Sequence, residues 1–274
     1  VPELPEVETL ARGLRSSLVD RTFVAVDVRW EGCLSPADRG AFARRLTGQT
    51  VLAIGRRGKW LRMTLSGGDT LLLHPRMTGQ VLLSEEPIED ERHVRAVFSL
   101  DDGSKLAFVD MRKFGRVCLV EDPDIILSEL GPEPLADDFT AASLQAMLAA
   151  RRGRIKPLLL DQRFLAGLGN IYADEALWRA RINPLRTANT LTAKEVRRLH
   201  RAIRSVLRAA IARGGTTLSD ETFRQVDGEP GGFSIELAAY GRGGEACSRC
   251  RSTIERIRLG GRSTHYCPSC QPEP

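Results

Sequence analysis

Four cysteines near the C-terminus, Cys247, Cys250, Cys267 and Cys270, form C-x2-C-x16-C-x2-C. Paired thiolates at that spacing can close a tetrahedron around one structural Zn2+, which takes four ligands and leaves no open position. Two disulfides are the alternative, disfavoured in a chain with no export signal. His265 is not needed to complete the metal shell. At the other end the chain opens VPELPEVETL, where Glu3, Glu6 and Glu8 crowd together with Pro2 and Pro5. That is a poor start for a domain unless the terminus has chemistry to do, so Pro2 is either a turn former or a reagent.

Several basic features share one theme. RRGRIK (151–156) precedes a helical pattern, GLGN (167–170) opens another, and GRRGKW (55–60) turns between strands. TIERIRLGGRSTHY (253–266) alternates, turns at Gly-Gly and alternates again, which reads as a β-hairpin with Arg262 at or just past its tip. Glycines ahead of a helix offer backbone N–H groups to a phosphate, and Asn170 adds a side-chain donor. Each feature alone marks only a turn or an exposed arginine. Together with a net charge of +5, nearly all of the cations being arginine, they favour a surface that holds a nucleic-acid backbone. A G+C-rich genome would enrich arginine as well, so position rather than composition carries the inference.

These residues need elements to position them. At 274 residues, 42% hydrophobic and 27% charged, the chain has room for two globular domains. It has neither an apolar run of about 20 residues nor a secretory N-terminal pattern, which reads as intracellular. Residues 5–18 read as a helix with Val7, Leu10, Ala11, Leu14 and Leu18 on one face. From Thr22 to Val120 short β-rich runs alternate with Gly and Asp turns, as in a sandwich or barrel-like domain. The proline- and acid-rich stretch 121–138 reads as a boundary. Helical patterns follow at 140–151, 154–163, 170–181 and 192–213, the last with Arg197, Arg201, Arg204 and Arg208 on an expected solvated face. The glycine-rich stretch 214–234 reads as a functional loop or a plain connector. Cys33 and Cys118, isolated in apolar surroundings, are expected as buried small hydrophobes.

PELPEVET (2–9), HPRMTG (74–79), DMRKFG (110–115), LGPEPL (130–135), KPLLLDQ with GLGNIYADE (156–175) and GGRSTHYCPSC (260–270) resemble the formamidopyrimidine-DNA glycosylases. The likeness runs over essentially the whole chain. It implies an α+β multidomain fold: an N-terminal β-sandwich flanked by helices, a helical helix-two-turn-helix domain and a C-terminal β-hairpin zinc finger. The corresponding divisions are 1–122, a linker at 123–138, 139–234 with a lesion-capping loop, and 235–274. The resemblance further implies a monomeric bacterial cytoplasmic enzyme that acts on damaged duplex DNA. Such an enzyme excises 8-oxoguanine and formamidopyrimidines and then nicks the strand by β,δ-elimination.

The same resemblance implies site roles. Pro2 is the nucleophile and Glu3 the catalytic acid. Lys59 contacts DNA near the lesion and assists elimination, and Arg262 binds flanking phosphates and serves the δ-step. His93, Arg112, Arg151, Lys156 and Asn170 contact DNA, while Met77, Arg112 and Phe114 fill the gap left by the extruded base. From residue type alone, Glu3 would be an ordinary first-turn acid, Lys59 a turn lysine, and Met77 and Phe114 core residues; Glu6 reads as structural. The family commonly has leucine where Pro75 stands, so the loop before Met77 is expected to enter at a different angle.

The chemistry of a terminal proline fits. An α-amine has a pKa of about 7.7 to 8 against about 10.4 for lysine, so on the order of several hundred times more of it is free base at neutral pH. A secondary amine attacking C1′ yields an iminium directly. Val1 precedes Pro2, and while it remains attached the Pro2 nitrogen is an amide. A GTG start codon whose initiator residue is removed would reconcile the two. An endonuclease VIII-type enzyme for oxidised pyrimidines and a lesion binder without catalysis are the competing readings.

Overall fold

The computed structural model describes residues 2–85, 91–218 and 223–273. They form two compact units: residues up to 128 together with 211–234, and residues 129–210 together with 235 onward.

In the first unit, α1 (Leu4–Leu18) buries Leu4, Val7, Leu10, Ala11, Leu14 and Leu18, a three-and-four spacing that presents one apolar face. Pro5 suits its first turn, where no intrahelical N–H is needed. That face joins one core with two sheets. One has the strands β1 (Phe23–Val28), β6 (Gly79–Ser84), β7 (Val94–Leu100) and β8 (Lys105–Asp110) in the order β1-β7-β8-β6, all antiparallel. The other has β2 (Leu34–Ser35), β3 (Val51–Arg57), β4 (Trp60–Leu65), β5 (Thr70–His74) and β9 (Arg116–Val120) in the order β2-β9-β5-β4-β3, parallel only where β2 meets β9. Strand β5 buries Leu71, Leu72 and Leu73 in succession, as a strand covered on both faces must. Cys33 and Cys118 are both buried thiols. Burial pushes each up to about 11, which suits packing rather than reactivity.

Within the stretch expected to be all β lies a helix, α2 (Arg39–Leu46). Only Phe42 and Leu46 of it are buried, one turn apart, which leaves little periodicity to detect. Its cap was the available signal: Asp38 accepts from the Ala41 N–H at 2.8 Å. A short helix, α3 (Asp124–Leu127), lies in the acidic stretch.

The second unit contains α4 (Ala141–Ala149), α5 (Ile155–Leu160), α6 (Asn170–Ala180) and most of α7 (Ala193–Ala212). Helix α7 opens on a capping box in which Thr192 N donates to Glu195 Oε2 at 2.8 Å and Glu195 N to Thr192 Oγ1 at 3.3 Å. Arg197, Arg201 and Arg208 are exposed as expected. Arg204 is not: it donates to the Pro134 and Ala136 carbonyls and folds the 130s segment against the helix. The hairpin of β10 (Glu255–Leu259) and β11 (Arg262–Tyr266) turns at Gly260 and Gly261, both at positive φ. A side chain at either would be strained there.

Leu14 is fully buried in the first unit's core. Leu14→Ala should lower stability to urea by about 3 kcal/mol with the denaturant slope unchanged.

Candidate functional site

Pro2 and Glu3 are buried at the start of α1; Val1 lies outside the described residues. Glu3 is the helix N-cap, and its backbone N–H donates to Glu6 Oε2 at 2.8 Å. The other Glu6 oxygen, Oε1, accepts from Thr216 N at 2.8 Å. One buried carboxyl thus joins the first turn of α1 to the segment that follows α7. Around Thr216 the base of the glycine-rich loop is tied down: Thr217 Oγ1 donates to Phe223 O at 2.8 Å and accepts from Gly231 N at 2.8 Å, and Phe223 enters the core. Residues 219–222 of the expected capping loop lie outside the described residues.

Lys59 follows Gly58, which has φ +56°, in the two-residue turn between β3 and β4. That turn is held to α1. Glu8 accepts from Arg56 Nε at 3.0 Å, and Arg56 Nη1 donates to Gly58 O at 3.3 Å. Burial pushes the Glu8 carboxyl up, but the guanidinium groups of Arg12 and Arg56 outweigh it and hold the group below its usual range.

Met77, Arg112 and Phe114 come from two loops, one leaving β5 and one leaving β8. Asp110, fully buried at the end of β8, joins them. It accepts from the Thr78 hydroxyl, from Arg112 N at 3.2 Å and from Gly115 N at 2.7 Å, and Thr78 Oγ1 accepts from Arg112 N at 3.1 Å. In the first loop Gly79 N donates to Pro75 O at 2.9 Å, so close that a Cβ on Gly79 would sit 2.4 Å from that oxygen. Pro75 itself is accommodated without loss, since it contributes only its carbonyl to this turn. Met77 is half-buried, whereas Phe114 is 48% exposed with the Arg112 guanidinium 4.8 Å above its ring. An aromatic ring displayed to water on a buttressed loop is an uncommon use of surface. Neither Asp110 nor Thr78 stood out in the sequence beyond lying inside the quoted motifs.

His74, ahead of Pro75, stacks edge-on to Trp60 with centroids 4.8 Å apart, and its Nδ1 accepts from Arg76 N at 3.0 Å. Burial, then the charges of Arg76 and Lys59, push it down to about 3. His93 ends a short 3-10 turn leading into β7 and is half-buried.

In the second unit, Arg151 is exposed, with its guanidinium 5.9 Å from the Phe164 ring. Asn170 begins α6 beside Gly169, and Arg262 is the exposed first residue of β11. Lys156 is enclosed by protein groups. It is 0% exposed, its ammonium paired with Asp174 Oδ1 at 2.6 Å and donating to Ser263 O and Thr264 Oγ1 at 2.8 Å each. Its head group is thus committed to α6 and β11 within the chain itself.

The four cysteine sulfurs lie within 4.8 Å of one another, with 4.0 Å between Cys247 and Cys270 and 3.4 Å between Cys250 and Cys267. Four ligands about 2.3 Å from zinc would be about 3.8 Å apart, so the cluster fits one structural Zn2+. Its protonation chemistry points the same way. Hydrogen bonds from Ser252 pull Cys250 down to about 6, while burial and the neighbouring sulfurs push Cys267 up to about 12. A central cation lets all four be thiolates together.

Three family models match in order: the formamidopyrimidine-DNA glycosylase N-terminal domain at residues 1–117, its H2TH domain at 130–222, and the zinc finger found in FPG and IleRS at 244–272. The formamidopyrimidine-DNA glycosylase of Chloroflexus aurantiacus is 46% identical over 274 residues, covering 99% of this chain and 98% of the relative. The chain belongs to the formamidopyrimidine-DNA glycosylase family. The relative from Bacillus subtilis is 41% identical, with 99% of each chain covered. Among solved structures, the MutM (Fpg) protein of Thermus thermophilus superposes with a TM-score of 0.90 at 44% identity over 100% of both chains. Lactococcus lactis Fpg in complex with a Fapy-dG containing DNA superposes with a TM-score of 0.90 at 34% identity, covering 99% of this chain and 100% of that one. The multidomain α+β fold and the zinc finger expected from this formamidopyrimidine-DNA glycosylase resemblance are therefore met.

Because His74 stays neutral in the folded chain to about pH 3 but titrates near 6.5 when unfolded, the unfolded state binds the extra proton between those values. Its contribution to stability is complete above about pH 6.5 and falls with pH below it. His74→Asn keeps an acceptor for Arg76 N and removes the titration. Urea unfolding of wild type and variant should therefore show wild type losing about 2 kcal/mol more between pH 7 and pH 5.

Proposed function

We propose that this chain is a bifunctional DNA glycosylase and abasic-site lyase that removes oxidised purines, 8-oxoguanine and formamidopyrimidines, from duplex DNA. The observation that carries it is near-complete coverage at 46% identity to formamidopyrimidine-DNA glycosylases, with PELPEVET set at a buried helix N-terminus. Solved relatives bound to Fapy-dG and abasic-site DNA support the substrate class.

In this mechanism a free Pro2 amine attacks C1′ as the glycosidic bond breaks, with a proton from Glu3 to the sugar ring oxygen or leaving base. Loss of the amine proton is followed by cleavage of the C1′–O4′ bond, with O4′ protonated as the ring opens; the nitrogen lone pair completes the iminium, which acidifies C2′. Removal of a C2′ proton expels the 3′-phosphate, and a second elimination expels the 5′-phosphate. Lys59, on a turn held against α1 through Arg56 and Glu8, serves the elimination. Met77, Arg112 and Phe114 fill the vacated stack; an arginine can also pair with the orphaned cytosine, and these contacts offset the few kcal/mol that extrusion costs. His93, Arg151, Asn170 and Arg262 hold phosphates, the last also serving the δ-step. The residues of the 214–234 segment close over the lesion. Zinc, when bound, supplies no reaction step and braces the hairpin that carries Arg262. A cytoplasmic bacterial setting follows from the substrate.

Borohydride trapping on a duplex with 8-oxoguanine opposite cytosine, followed by peptide mass mapping, should give a covalent adduct at an N-terminal Pro2. Excision should exceed that from a thymine glycol duplex at least tenfold. Faster release of thymine glycol would favour an oxidised-pyrimidine enzyme, and tight binding with no adduct would make the chain a lesion binder.

A further inference from the structure

The most enclosed cation among the described residues is not used by the proposed chemistry. Lysine is almost never fully buried unless paired, because its ammonium loses three water contacts on burial. Lys156 on α5 is compensated by an ion pair with Asp174 Oδ1 at 2.6 Å and by hydrogen bonds to Ser263 O and Thr264 Oγ1 at 2.8 Å each. The second oxygen of Asp174 accepts from His265 N at 2.9 Å and lies 3.1 Å from His265 Nδ1. Three consecutive residues of β11, 263 to 265, are thus bonded to one ion pair, and the residue before them is Arg262.

We propose that Lys156 and Asp174 are positioning residues that fix the register and direction of β11 and thereby aim Arg262 at the DNA. Asn170 belongs to the same frame. It lies one helical turn before Asp174 on α6, with Nδ2 3.4 Å from Ser263 Oγ. Two candidate phosphate ligands, one at a helix N-terminus and one on a hairpin, are referenced to a single buried pair. Stability alone does not account for this arrangement, since apolar residues of similar volume often replace a buried pair at no cost. What an apolar replacement lacks is direction: a methionine has no preferred partner among the Ser263 carbonyl, the Thr264 hydroxyl and the Asp174 carboxyl. Pairing with β10 sets Arg262 opposite Leu259 across the Gly260–Gly261 turn, and the buried pair fixes that hairpin to α5 and α6.

The role assigned to Arg262 rests on the function proposed above, so the test separates the two. Lys156→Met and Arg262→Ala would be compared singly and together in zinc-loaded protein on the 8-oxoguanine duplex, reading the adduct at Pro2 and the ratio of δ- to β-elimination products. The expected result is a Pro2 adduct within twofold of wild type and a product ratio at least tenfold lower in Lys156→Met. The double variant should be no worse than Arg262→Ala alone. Effects that multiply, or an unchanged ratio in Lys156→Met, would overturn the proposal. Lys156→Met/Asp174→Leu removes the pair without leaving an unpaired carboxyl, so it reports if the single variant fails to fold, and the same loss is expected. Amide hydrogen exchange at Thr264 and His265 adds a readout independent of activity. Should wild type cleave nothing, the function fails; exchange at least tenfold faster in Lys156→Met still supports the positioning, and unchanged exchange refutes it.

Discussion

A carboxyl group removed from water must be given donors, and this chain repeatedly draws them from segments that carry candidate functional residues. Glu6 takes Glu3 N and Thr216 N. Asp110 takes Thr78 Oγ1, Arg112 N and Gly115 N. Asp174 takes His265 N and the Lys156 ammonium. Glu175, its neighbour, takes the backbone N–H groups of Ala238, Ala239 and Tyr240, leading into the zinc module. Burial pushes Glu175 up even against those bonds, a measure of how far from water it sits. Loops that must present side chains to a ligand cannot be held by an apolar core of their own, so buried acids bolt them to the scaffold.

The consequence for chemistry is a division of labour between touching and holding. Phe114, Arg112 and Arg262 stand out in solvent, whereas Asp110 and Lys156 have no exposure at all. An extruded base costs a few kcal/mol, and the gap is filled usefully only if the filling groups arrive in the correct place. Rigid support beneath the exposed Arg112 and Phe114 would meet that need in the proposed function. The two motifs HPRMTG and DMRKFG thereby become one structural object, joined through Thr78 and Asp110.

Much of this was legible in the sequence. The apolar spacing of α1, the strand runs, the helical period of α7 and the Gly-Gly hairpin announced themselves, because each is specified by local pattern. The cysteine spacing announced the metal site for the same reason. Helix α2 escaped because two buried side chains set no period. The internal partners of Arg204 and Lys156 escaped because an arginine or lysine on an amphipathic segment looks the same whether its head reaches water or a carbonyl 68 to 107 residues away in sequence. Asp110 and Asp174 were passed over for the complementary reason. Their importance lies in partners that only folding brings together.

The central claim is that buried acids place the wedge, and Asp110→Asn tests it directly. An amide at 110 turns an N–H donor toward Thr78 or Gly115, so the two loops lose their common anchor while the surface keeps Met77, Arg112 and Phe114. Single-turnover rates would be measured on an 8-oxoguanine duplex and on a duplex with a preformed abasic site, which has no base to extrude. Base excision should fall at least tenfold while abasic-site cleavage stays within about threefold of wild type. Equal rates on both substrates before and after substitution would contradict the claim.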